Sequence, residues 1–335
     1  MNENNLLDVL TREGVLINVT VRYWRATKKL KPEDLGLDPG QVAERWICLG
    51  HKKLLPKEAL GSFALIEGRA HALIEAGTFP FLQGLSHFLP NAKLQEVTDK
   101  LNGLAGEFNQ ARAEFLEHYA GMRQDAVQEW LLAAQRLVPD PDRLVATIEA
   151  SFPPSETMER FFGFATQLFQ IRVPEELDLR LVTVREQQEI LRVREEAARV
   201  AREQIGHGVE SFVSDCVGML RQQTAQICEE MLASMQSGKI GVHQKTLNRL
   251  IKFIDEFKKL NFVGDRQMEE ALERVRREFL THSAEGYRNN EVARVRLQQG
   301  LRALSETARG LAQQDTREIV ERFGSMGQRK FHLAA

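Results

Sequence analysis

"LPNAKLQEVTDKLNGLAGEFNQARAEF", Leu89 to Phe115, is the stretch that decides the fold. Leu94, Val97, Leu101, Leu104, Phe108, Ala111 and Phe115 step by three and four, which lines them along one face of an α-helix. Pro90 sits where a helix starts, since the N–H it lacks would be unsatisfied there anyway. The next proline is Pro139, and the seam drifts on through Tyr119, Met122, Ala126 and Trp130. The spacing therefore predicts one helix over about 90–138, roughly 70 Å long at 1.5 Å per residue. A helix of that length projects from a compact domain or pairs with a similar partner.

Working outward, a second run over about 182–236 is the expected partner of the first and continues the device with Ile205, Val209, Phe212, Cys216, Leu220, Ile227 and Met231. Its weak point is Gly206-His207-Gly208, because each helix-interior glycine costs about 1 kcal/mol relative to alanine. Leu247, Leu250, Ile251, Ile254, Phe257 and Leu260 draw an amphipathic helix that "NFVGD" stops, with Asp265 capping the next. Val292, Val295, Leu301, Leu304, Ala308 and Leu311 draw a last long one, and the tail from Gly324 reads as frayed. Pro32 and Pro56 open acidic or polar first turns like that at Pro90, and Asp140 caps a helix that begins at Pro141.

Strand signals are few. Val15, Ile17, Val19, Val21 and Tyr23 alternate with Asn18, Thr20 and Arg22, leaving Leu16 as the exception. "RWICLG" (45–50) is weaker, and in "QLFQIRV" (167–173) Phe169, Ile171 and Val173 alternate with polar residues. The expected fold is mainly α, with long antiparallel helices packed in coiled-coil fashion and a small β-sheet in the N-terminal half. A cut after residue 178 would separate an α+β domain (1–178) that contains the projecting helix from a helical domain (179–335) that ends in a helical hairpin.

Of the 335 residues 43% are apolar and 27% charged, a globular balance, and the net charge of −2 sets up no global field toward DNA, RNA or an anionic membrane. Any polyanion site must be local. The beginning "MNENNLLDVLTREG" has no basic or apolar leader character, and no apolar run reaches a membrane span, so a cytoplasmic protein without membrane association is expected. Cys48, Cys216 and Cys228 form no even framework. Cys216 and Cys228 lie about 18 Å apart on one helix and cannot bond.

No P-loop, dinucleotide fingerprint, nucleophile elbow, H-E-x-x-H or C-x-x-C pattern occurs in the chain. No catalytic residue, cofactor or enzymatic activity is therefore expected. Glu67, His71 and Glu75 share a helical face at i, i+4, i+8 and are the one metal candidate; ordinary surface pairing explains them as well. His118 and His207 read as packing or surface residues. The larger candidate is a basic stretch with aromatics interleaved: Arg22, Trp24, Arg25, Lys28, Lys29 and Lys31, joined by Lys52 and Lys53. Such a patch can hold a protein partner, or grip a phosphate backbone and stack a base. Alternation sends Tyr23 inward and Trp24 to the side of Arg22; in the plainer alternative, Trp24 packs under the following loop and the lysines are only solvated.

Taken together, "GVLINVTVRYWRATKKLKPEDLGL", "LGHKKLLPKEALGSF", "FLQGLSHFLPNAKLQEVTDKLNGLAGEFNQARAEFLEHY" and "KTLNRLIKFIDEFKKLNFVGD" resemble the bacterial family catalogued as domain of unknown function 3150, over about 14–265. Gly50, His51 and Lys52 stand where the family carries a Gly-Ser-Lys-like tripeptide. The resemblance implies a protein of bacteria, phages and plasmids, encoded near MoxR-type AAA+ ATPases and von Willebrand factor A (VWA) proteins. It also implies an accessory scaffold for such an ATPase, in a mobile-element or anti-phage setting, and carries over no catalytic residue. Whether the chain forms a homo-oligomer stays open.

Overall fold

The computed structural model describes residues 3–38, 48–81, 84–170, 184–237, 242–314 and 316–331. In chain order it contains α1 (Glu3–Glu13), β1 (Gly14–Arg22), β2 (Thr27–Lys29), a 3-10 turn (Pro32–Leu35), β3 (His51–Lys53), and a second 3-10 turn (Lys57–Leu60) that runs into α2 (Gly61–Gly77). β4 (Phe79–Phe81), β5 (Ser86–Pro90), α3 (Asn91–Leu137), α4 (Pro141–Glu149), α5 (Ser155–Met158) and β6 (Gly163–Phe169) follow. The rest is helical: α6 (Val184–Ser237), α7 (Gln244–Leu260), α8 (Arg266–Phe279), α9 (Ala284–Asn289), α10 (Glu291–Ala312) and α11 (Arg317–Phe331). The fold is mainly α with a small antiparallel sheet in the N-terminal half, of order β4-β5-β1-β6. β1 pairs β5 antiparallel from Gly14↔Pro90 to Ile17↔His87.

Both long helices run nearly as the spacing predicts, and α6 passes through Gly206–Gly208 without a break. Asp140 and Asp265 accept the N–H groups of Arg143 and Met268, the N-caps expected of them. Other expectations change. The third strand lies earlier, at Gly163–Phe169, while Ile171 and Val173, like residues 45–47 of the second expected strand, fall outside the described residues; Cys48–Gly50 form no strand. The N-terminal polar stretch is a helix, α1, and the tail from Gly324 to Phe331 is helical.

Instead of a single cut after 178, the chain forms two compact units, each gathered from several segments. Unit 1 comprises Met1–Ile17, Gly77–Gln95 and Leu168–Ala335; unit 2 comprises Asn18–Ala76 and Glu96–Gln167. The physical reason is that β1 and α3 are each continuous elements whose first residues belong to unit 1 and whose later residues belong to unit 2.

In unit 1, α6, expected to partner the first long helix, packs chiefly on α10. The two run antiparallel, since the hydrogen-bonded pairs Glu229–Ser305 and Arg221–Leu311 advance along one helix while receding along the other. Leu297, Leu301, Leu304 and Ala308 meet Val213, Val217, Leu220 and Cys228 in a shared apolar core. Phe88 packs against Phe212 and Phe262, and Phe262 against Phe323, which brings the β4–β5 segment into the same core. At Gly300 a Cβ would lie 2.6 Å from the Phe279 ring, so only glycine allows α10 to approach α8 this closely.

Within that apolar surround Arg221 is buried. Its Nε donates to Asp265 at 2.7 Å and its Nη1 to the Leu311 carbonyl at 2.5 Å, in the last turn of α10, where a cation complements the helix dipole. Asn261 completes the knot by accepting the Asp265 N–H at 2.8 Å and donating to Glu269 at 3.0 Å.

Unit 2 is held by rings. Phe63 of α2 lies 5.5 Å from Tyr23 and 5.3 Å from Phe108, and also touches Phe115 and Phe162. Trp24 meets Tyr119 edge-on at 5.8 Å and Phe152 at 6.0 Å. The Tyr119 hydroxyl donates to the Pro153 carbonyl at 2.7 Å, and burial pushes its pKa up to about 12.

Candidate partner surface

β1 delivers the chain to this region with Leu16 and Ile17 both buried and Val15 and Val19 only half-buried, so the expected alternation holds only from Thr20 to Tyr23. Past Arg22, Tyr23 and Trp24 both turn into the ring cluster and both are buried. β1 ends at Arg22, and the chain is redirected at Ala26, whose φ is +48°. That conformation costs an L-residue about 1–2 kcal/mol. It is held by the Ala26 carbonyl accepting the Leu54 N–H at 2.7 Å.

From there β2 pairs with β3 as an antiparallel ribbon: Thr27↔Lys53, Lys28↔Lys52, Lys29↔His51. The Leu30 N–H to Gly50 carbonyl bond, at 3.0 Å, closes the far end. Like charges stand directly opposite at Lys28 and Lys52, which a free ribbon disfavours. Lys52 avoids the conflict by turning under, where its ammonium meets Asp34 at 2.8 Å with both side chains only 5% exposed. Asp34 also accepts the Lys31 N–H at 2.8 Å, so one carboxylate both opens the 3-10 turn after Pro32 and neutralises the buried lysine. Gly36, in the left-handed region at φ +71°, ends the turn. On the outer side of β3, the Trp130 indole N–H donates to the Lys53 carbonyl at 2.9 Å.

Arg25 is also engaged. Its guanidinium forks onto the Glu67 carboxylate at 2.7 and 3.0 Å, lies over the Tyr23 ring, and donates to the Tyr23 hydroxyl. The hydrogen bond from Arg25 is the main reason the Glu67 carboxyl lies below its usual range, and burial is the main reason Tyr23 is raised.

The residues singled out from sequence thus divide in two. Arg22, Lys28, Lys29, Lys31 and Lys53 are exposed, four of them lysines on or beside the ribbon. Trp24 and Lys52 are corrected to interior residues, whereas Arg25 is exposed like the first group but held in an ion pair with Glu67. Base stacking on Trp24 is ruled out by its burial against Tyr119 and Phe152. Within the metal candidate, Glu67 is taken up by Arg25 and Tyr23 while His71 and Glu75 are exposed; among the described residues no three His, Cys, Asp or Glu side chains could hold a metal ion. His51, noted in the sequence only as the middle of the Gly50–Lys52 tripeptide, joins the ribbon; its pairing with Lys29 follows only from the register.

A mainly helical protein that presents a short lysine-rich ribbon is the class this geometry defines. The chain belongs to the family described as proteins of unknown function, DUF3150, whose family model matches residues 11–207. No curated protein and no solved structure matches it. No helix among the described residues is long and apolar enough to cross a membrane.

Proposed function

We propose that this chain is a non-enzymatic helical scaffold or adaptor, the accessory partner of a MoxR-type AAA+ ATPase acting with a VWA protein in a bacterial, phage or plasmid system, anti-phage defence included. The observation that supports it best is α3, an uninterrupted helix of 47 residues and so about 70 Å long. Such a rod holds surfaces at a fixed separation, which suits an adaptor. The class of partner comes from the family resemblance. The test is co-purification of the tagged chain from its own host at mild salt. Recovery of an ATPase subunit or a VWA protein is expected, and recovery of no protein partner overturns the reading.

A second reading, nucleic-acid binding, is favoured by the exposed Lys28, Lys29, Lys31 and Lys53. With Tyr23 and Trp24 buried, this reading rests on phosphate contact. Binding to an oligonucleotide should then fall steeply with salt and vanish when Lys28 and Lys29 are changed to Glu.

A further inference from the structure

The β2–β3 ribbon has two outer edges, and they differ. Hydrogen bonds at Ala26–Leu54 and Leu30–Gly50 fix which residues pair through their backbones. Antiparallel ladders alternate, so Lys28 and Lys52 exchange backbone bonds, while Thr27, Lys29, His51 and Lys53 turn their N–H and C=O groups outward. On the β3 side, Trp130 already occupies the Lys53 carbonyl. On the β2 side, Thr27, Lys28 and Lys29 are all exposed, and among the described residues no partner meets the outward backbone groups of Thr27 and Lys29. The side chains on the same ribbon face as those groups, Lys29, Lys53 and His51, are exposed and cationic or polar.

We infer that the β2 edge is a docking strand for an extended acidic segment of a protein partner, which adds a third strand beside Thr27–Lys29. An added strand uses outward N–H and C=O groups alike, and its side chains at positions i and i+2 fall on the Lys29 face, where carboxylates are the complementary chemistry. A nucleic acid fits less well, because its phosphates are acceptors and the outward carbonyls of Thr27 and Lys29 offer them nothing. The inference rests on the adaptor reading in requiring a protein partner.

The test uses the full chain and a blocked, fluorescent hexapeptide alternating glutamate and threonine, beside the same peptide with alternate backbone nitrogens methylated, a lysine-for-glutamate version, and a single-stranded oligonucleotide. The acidic peptide is expected to bind and to protect the Thr27 and Lys29 amides from hydrogen exchange. Methylation, which removes the donors of the added strand, should weaken it at least about tenfold, the equivalent of 1.4 kcal/mol. Lys29→Pro should do the same, because a proline whose N–H would point off the edge leaves the Lys28–Lys52 ladder intact; Lys29→Gln should weaken binding only a few-fold. Equal binding of the methylated peptide, wild-type affinity in Lys29→Pro, or binding of the oligonucleotide without the peptide overturns the inference. If tagged Lys29→Pro retains its protein partner at wild-type yield, the docking edge fails and the adaptor reading stands. If the wild-type chain recovers no partner while the peptide results hold, the adaptor reading fails and the edge stands.

Discussion

Unit 2 and unit 1 each place a carboxylate at the start of a helical turn and bury a cation against it, but they use different cations. In unit 2 Asp34 takes the Lys31 N–H and the ammonium of Lys52. In unit 1 Asp265 caps α8 and takes Arg221, whose fork also reaches the last turn of α10. Lysine is a point charge on a flexible stem, whereas arginine offers several fixed donors, so only the second pair ties three helices together. The comparison predicts that unit 1 depends on its ion pair and unit 2 on its rings.

Asp265→Ala is the severest test, since it strands Arg221 in an apolar interior and removes the α8 cap. A loss of about 3–5 kcal/mol is expected from urea unfolding. Thiol chemistry reads the same event. A reagent should modify exposed Cys48 in the native protein and spare Cys216 and Cys228, whose thiols burial pushes up, Cys228 to about 12. In Asp265→Ala both should label faster; if they do not, the Arg221 knot is not what holds α6 in place.

Trp24→Ala should cost nearly as much, about 3–5 kcal/mol, because it empties a site between Tyr119 and Phe152. Lys28→Glu should change stability by less than about 0.5 kcal/mol. A small effect of Trp24→Ala would overturn the view that rings dominate unit 2. Asp34→Ala comes next at about 1–3 kcal/mol, as Lys52 loses its partner and the turn its first acceptor, although a lysine stem so near the ribbon face can swing back to water.

The smallest effect is at Arg25–Glu67, half open to solvent, where Glu67→Gln should cost up to about 1 kcal/mol at neutral pH. The sign follows from the lowered carboxyl. Its contribution is fully present above the unfolded value of 4.5 and is lost as pH falls through the lower folded value. Stability curves of Glu67→Gln and wild type should therefore converge on acidification, and a gap that persists in strong acid would assign the effect to packing.

Helices are legible where a long seam or an acidic cap marks them: α3, α6 and the starts at Pro141 and Arg266 follow from local chemistry, whereas Pro32 opens only a 3-10 turn. α1 shows only in the helical spacing of Leu6, Leu7 and Leu10, all buried; no proline and no long seam marks it. Trp24 was misassigned for a physical reason. Period-two alternation is a property of extended backbone, and it lapses at Trp24, past the end of β1 and two residues before the left-handed turn at Ala26 redirects the chain. The burial of Lys52 could not be seen locally, since its partner Asp34 stands 18 residues earlier. Of the candidate surface, sequence supplied the lysines; the register that gives them one open edge came only from pairing.

The interleaving of the two units has a consequence during synthesis. Every segment of unit 2 has left the ribosome once residue 167 is free, so its rings can close while translation continues. Unit 1 cannot do this: Leu6, Leu10, Phe79 and Phe88 belong to segments made early, and the helices that bury them, α6 to α11, come last. At about 5–20 residues per second, those apolar segments wait for tens of seconds beside an already folded neighbour in sequence, a window in which the nascent chain is a substrate for chaperones.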